Sequence, residues 1–232
     1  SIVDFGIDEQ MDLKKEGYSL KIDNKKITIR AKDSAGLFYA FITLDQIIED
    51  SKNNQTTLPM VDIKDFPSLD FRPIHIDIKH HTEKKTYYFN LIDHLAKLKV
   101  NGIIVEFEDK LKYETRPEVG SSDSFSIDWW IELSEYAHNR NISINPLVQG
   151  LGHASFILKH QKNFHLRDKP ESDWAFNPLN PKTYELQFDL YLDAIKATPF
   201  GKYLHVGGDE VHLVKRELSL IHISEPTRLH GI

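Results

Sequence analysis

The residues best suited to chemistry lie in one run, Tyr203-Leu204-His205-Val206-Gly207-Gly208-Asp209-Glu210-Val211. A strand pattern over 203–206 delivers two adjacent carboxylates past two glycines, and glycine admits a ligand where a Cβ would obstruct it. Neighbouring side chains on a regular strand point to opposite faces, but at a strand's end both can reach one mouth. Two carboxyls held close do not both ionise readily, so one can stay protonated as an acid while the other remains an anion. The same pair could instead hold a hard cation, with His205 and His212 as further ligands, or cap the helix that follows.

Positioning such a pair requires a scaffold, and the pattern after Pro67 supplies one. Strand-like segments at Arg72 to Ile78, Gly102 to Phe107, Ile142 to Val148 and Tyr203 to Val206 alternate with helical spacing at Lys85 to Leu98, Ile127 to Asn139 and Lys182 to Ala197, plus a shorter piece at Ala154 to His160. Alternating strands and helices imply a parallel sheet covered by helices. Each strand sets an apolar face against a polar one: His75, Asp77 and Lys79; Glu106 and Glu108; Ser143, Asn145 and Gln149; Tyr203 and His205. Such groups are costly to bury without partners, so the polar faces suit the inside and mouth of a closed barrel, where reactive groups gather at strand C-termini. An open sheet with one solvated face is the alternative. Before Pro67, a hairpin over 18–31 turns at Asp23 and Asn24, a helix follows with Ser34 as its N-cap, and a short strand spans Met60 to Ile63.

Composition narrows the function classes. The 232 residues are 40% hydrophobic and 11% aromatic, enough for a folded core. The net charge of −6 is dispersed and no Lys/Arg-rich stretch occurs, which argues against nucleic acid as a partner. No apolar run approaches a membrane span. With zero cysteines there are no disulfides or thiolate metal sites, a composition found in several compartments. The chain opens at Ser1 in a polar segment, so any signal peptide is expected to be missing from this sequence.

The motifs together resemble glycoside hydrolase family 20, the β-N-acetylhexosaminidases. Gly36-Leu37-Phe38-Tyr39-Ala40 with Thr43-Leu44-Asp45-Gln46 is similar to the helix of that family's small leading domain. Asn177 to Tyr184 is similar to the loop before its fourth strand, and His205 to Val211 to its catalytic signature. Val105 to Asp109, Pro146 to Gln149 and Gly152-His153 most resemble the hexosaminidase D branch. The resemblance implies the N-terminal half of a (β/α)8 TIM barrel preceded by a partial α+β domain. It also implies removal of terminal N-acetyl-β-D-hexosamine, as GlcNAc or GalNAc, from a glycan or glycoconjugate, with no cofactor and no metal. The implied mechanism is retaining and substrate-assisted, with Glu210 as general acid and base and Asp209 orienting the 2-acetamido group. Asp109 and His153 would pair, and Asp77, Lys79, Glu108 and Gln149 would hydrogen-bond sugar hydroxyls. The sequence departs from the commoner family pattern, which has arginine near His80, a Trp-His pair near Val105 and Glu106, and acidic residues at Leu147 and Gln149. A noncatalytic carbohydrate-binding barrel is the rival reading. Trp129, Trp130 and Trp174 are candidates for a sugar platform, although the first two sit in a helical pattern that suits packing.

Three segments are expected: 1–66 as the small domain, 67–217 as the first half of the barrel, ending after its fourth strand, and 218–232 as a foreign tail. The run Leu218 to Arg228 resembles translated sequencing adapter. A half barrel leaves edges open, so the chain alone is expected to be inactive.

Overall fold

In the computed structural model, which describes residues 2–79 and 81–211, two sheets each carry their own apolar core. The first holds β1 (Ile2–Ile7), β2 (Tyr18–Ile22), β3 (Lys26–Ala31) and β4 (Val61–Asp65) in the order β1-β3-β2-β4. The expected hairpin is closed by Asp23, whose Oδ1 accepts from the N–H groups of Lys25 and Lys26. Leu20, Ile22, Ile27 and Ile29 bury against Tyr39, Ala40 and Leu44 of α1 (Ser34–Asn53). The N-cap of α1 is Asp33 rather than Ser34. Its Oδ1 accepts from Gly36 N–H at 2.8 Å and its Oδ2 from Glu16 N–H at 2.9 Å, so one carboxylate serves both the helix start and the preceding loop. Strand β1, which the sequence did not announce, pairs parallel with β3 at the sheet edge, where Ile2, Phe5 and Ile7 stay exposed.

The second sheet is parallel, with β5 (Pro73–Asp77), β6 (Gly102–Glu106) and β9 (Ser143–Leu147) in the order β5-β6-β9. Between the last two, β7 (Leu111–Lys112) and β8 (Phe125–Ser126) form a short separate pair. Helices α2 (Lys85–Lys97), α3 (Ile127–His138) and α5 (Pro181–Ala197) follow the strands, with α4 (Ser155–Leu158) a single turn after β9. The helix-facing side chains Ile103, Val105, Ile142 and Ile144 meet Ile92, Leu95, Trp130 and Leu133 in one core. Trp130 is fully buried, its ring edge-on to Phe107 at 4.7 Å, and Trp129 is buried beside it. Both are packing residues and offer no sugar platform.

The stretch Tyr203 to Val206, expected as a strand, makes only one bridge. His205 N–H donates to Pro146 O at 2.9 Å, and Val148 N–H donates to His205 O at 3.1 Å. The segment lies at the sheet's edge with Tyr203, His205 and Val206 exposed, so it is paired on one side only among the described residues. A polar seam joins the two units. Arg72 donates to Glu16 Oε2 at 2.7 Å and to Lys99 O at 3.0 Å, and Lys99 Nζ reaches Asp65 at 2.7 Å and Tyr18 at 2.8 Å. Among the described residues no helix is long and apolar enough to cross a membrane. The tail 218–232 and His212 lie outside the described residues.

Candidate active site

Register determines what the polar face assembles. Asp77 stands opposite Glu106, and Glu106 opposite Leu147, so the C-terminal ends of β5, β6 and β9 are level. Glu106, almost wholly buried, is the hub of the floor. Its Oε1 accepts from Gln149 Nε2 at 2.9 Å, and its Oε2 lies 3.2 Å from His75 Nε2. Lys79 places its ammonium 2.8 Å from Asp77, 3.6 Å from Glu106 and 3.9 Å from Glu108. Burial works to raise the Asp77 carboxyl, but hydrogen bonds from the Lys79 side chain and backbone outweigh it and hold Asp77 below its ordinary value. Glu108 goes the other way. Burial pushes it up to about 7; Lys79 opposes the rise, and the neighbouring Glu106, Asp77 and Asp109 add to it.

The Asp209-Glu210 pair arrives on a loop with unusual backbone. Gly207 and Gly208 have φ of +67° and +101°, and Glu210 itself has φ of +46°, a left-handed conformation that costs energy in any residue with a Cβ. A Cβ on Gly207 would collide with the Gln149 side chain, so Gln149 fits only because that position is glycine. The loop is tied down by Gly207 N–H donating to His205 Nδ1 at 3.1 Å and by the Trp174 indole N–H donating to the Glu210 carbonyl at 3.0 Å. Both carboxylates are largely exposed and converge on His153, whose Nε2 lies 3.4 Å from Asp209 Oδ2 and 3.2 Å from Glu210 Oε2. These are ion-pair distances without hydrogen-bond alignment, since that nitrogen has no hydrogen-bond partner.

Lys79, Glu106, Gln149, His153, His205 and Asp209 line an open cleft of about 330 Å³, and Glu210 stands at its edge through His153. Asp77 and Glu108 join it through Lys79. Asp109 is brought near but not into the expected pair: its carboxylate lies 3.4 Å from Lys110 Nζ and 3.2 Å from Lys159 Nζ, full positive charges that outcompete an imidazole. His153 turns to Asp209 and Glu210 instead. Sequence alternation placed Glu106 and His75 on the correct face; their role as hub and partner depends on strand register, which no local signal carries. Chemically, the cleft can present a proton at its mouth and a carboxylate beside it, with fixed donors on Lys79 and acceptors on the floor. Among the described residues no group of three or more His, Asp or Glu side chains is arranged to hold a metal ion.

Two family models match the chain. Residues 2–66 match the model of glycosyl hydrolase family 20, domain 2, and residues 69–221 match the model of the glycosyl hydrolase family 20 catalytic domain. The chain is 28% identical over 236 aligned positions to a beta-hexosaminidase of Porphyromonas gingivalis, covering 88% of this chain and 30% of that protein. It is 29% identical to Hexosaminidase D of Bos taurus over 142 positions, 61% of this chain and 41% of the relative. The solved chitobiase of Flavobacterium johnsoniae superposes with a TM-score of 0.75 at 27% identity, covering 84% of this chain and 32% of that one. The chain thus spans less than half the length of each of these relatives.

Proposed function

Because the chain belongs to glycosyl hydrolase family 20, we propose that its cleft serves the hydrolysis of a terminal, non-reducing N-acetyl-β-D-hexosamine, as GlcNAc or GalNAc, from a glycan. The observation that carries this reading is the convergence of Asp209 and Glu210 on His153 at the mouth of a polar cleft. Glu210 protonates the glycosidic oxygen as its bond to the anomeric carbon breaks. The substrate's acetamido oxygen attacks that carbon from the opposite face and forms an oxazolinium ion. Asp209 holds the acetamido nitrogen and balances its positive charge. Water then opens the ring, giving its proton to Glu210, and the anomeric configuration is retained. The nucleophile is carried by the sugar, so the protein gains the rate advantage of an intramolecular attack. Lys79, with Asp77, Glu108 and Gln149, supplies contacts to the ring hydroxyls. Residues 67–217 are read as the first half of the barrel and 218–232 as foreign sequence.

The test compares this sequence extended to its relatives' length, as wild type and as Glu210→Gln, on aryl N-acetylglucosaminide, aryl N-acetylgalactosaminide and the plain glucoside. Turnover of the acetamido sugars alone is expected, falling on the order of 10²- to 10⁴-fold in the variant. Equal turnover of the glucoside would remove the substrate-assisted route. Sugar binding without any turnover would make the protein a carbohydrate-binding barrel. Activity is expected to survive a chelator, since no step uses a metal.

A further inference from the structure

We propose that Trp174 is a positioning residue for Glu210, an inference that rests on Glu210 being the acid. Three observations meet at its side chain. The indole N–H donates to the Glu210 carbonyl at 3.0 Å, and the ring lies against His153 with centroids 4.5 Å apart. The backbone beneath it is fixed: Ala154 N–H donates to Trp174 O at 2.9 Å, and Phe176 N–H donates to Leu151 O at 3.0 Å. Trp174 is therefore anchored to the same turn that carries His153, and it reaches from there to the acid.

Glu210 needs such an anchor. Its left-handed backbone, φ +46°, is disfavoured for a residue with a side chain, and a peptide in that state persists only where its surroundings hold it. From the other side, Gly152 lies so close that a Cβ there would stand 2.7 Å from the Asp209 carbonyl. Trp174 and Gly152 thus bracket the two successive carbonyls of the acid pair. With its ring tilted against His153 and its N–H on Glu210, Trp174 acts as a bracket behind the pair and not as a platform under the sugar.

An acid held off its line donates its proton less well, and this matters most when the leaving group is a poor one. In the sequence extended to its relatives' length, Trp174→Phe is expected to lower kcat about 10-fold on an alkylphenyl N-acetylglucosaminide, less than about 2-fold on the dinitrophenyl one, with KM within about 2-fold on both. Replacing Trp174 by benzothienylalanine, which keeps the bicyclic shape and lacks the N–H, is expected to repeat that pattern with an unchanged melting temperature. It carries the test if the Phe variant folds poorly. Equal losses on both leaving groups, or a rise in KM alone, would overturn the proposal in favour of a purely structural ring or a sugar platform. Glu210→Gln on the same substrates separates the two claims. A leaving-group-dependent loss there with unaltered benzothienylalanine protein sinks the role of Trp174 alone; absence of that dependence sinks the reading of Glu210 and the proposal with it.

Discussion

Burial holds the Glu108 carboxyl at about 7, against an ordinary value of 4.5, so its effect on stability has a defined window. Between those values the native protein keeps a proton that the unfolded chain has released. Stability therefore declines as pH rises through the window, and the cost is complete above 7. Glu108→Gln removes the charge that burial penalises. Relative to the variant, the wild type is expected to lose up to about 3 kcal/mol between acid and neutral pH, read from urea midpoints near pH 5 and pH 8. Parallel curves would mean that Lys79, 3.9 Å away, neutralises the carboxylate fully. Asp77, Lys79, Glu108 and Gln149 were legible as a polar set, because alternation along a strand assigns a face. Their partners were not. Glu106 becomes the hub only because β5 and β6 pair with Asp77 opposite it, and Asp109 turns to its neighbour Lys110 and to Lys159, which the end of α4 brings in from 50 positions away.

At the scale of elements, α5 does more than cover the sheet. Its Asp193, nearly fully buried, accepts from Glu114 N–H at 2.8 Å, Thr115 N–H at 2.9 Å and the Thr115 hydroxyl at 2.7 Å, fixing the loop that leads from β7 toward β8. Asp193→Ala removes the shared acceptor of three hydrogen bonds whose donors sit on exposed Glu114 and Thr115, and is expected to cost about 1–2 kcal/mol, seen as a lower urea midpoint at unchanged slope. A midpoint equal to wild type would show that water enters and satisfies them. Helix α5 itself was readable: Asn180 caps it through Lys182 N–H, Pro181 opens it, and Leu186, Leu190 and Ala194 recur at helical spacing. The segment 203–206, whose alternation predicts a strand, pairs at a single bridge among the described residues. Its alternation is real, but a strand needs neighbours, and here His205 alone finds one.

Across the whole molecule, the change of rhythm near Pro67 is visible in the sequence, whereas the seam between the two units is not. Arg72 and Glu16 stand 56 positions apart and meet at 2.7 Å with both side chains mostly buried. A double-mutant cycle with Arg72→Met and Glu16→Gln is expected to return a coupling of about 1–2 kcal/mol that added salt changes little, because the pair is shielded from solvent. Additive single losses would mean that this pair adds no coupling and that the seam is held by its other contacts, Lys99 with Asp65 and Tyr18 among them. Gly208, one step before the acid pair, has a φ of +101° and yet nothing within 4 Å of where a Cβ would stand. There is room for a methyl group and no backbone on which an L-residue could carry one at ease. What that position selects is handedness rather than size: D-alanine fits it, L-alanine does not, and so the genetic code leaves glycine as the residue that lets the chain turn its two carboxylates toward one imidazole, that of His153.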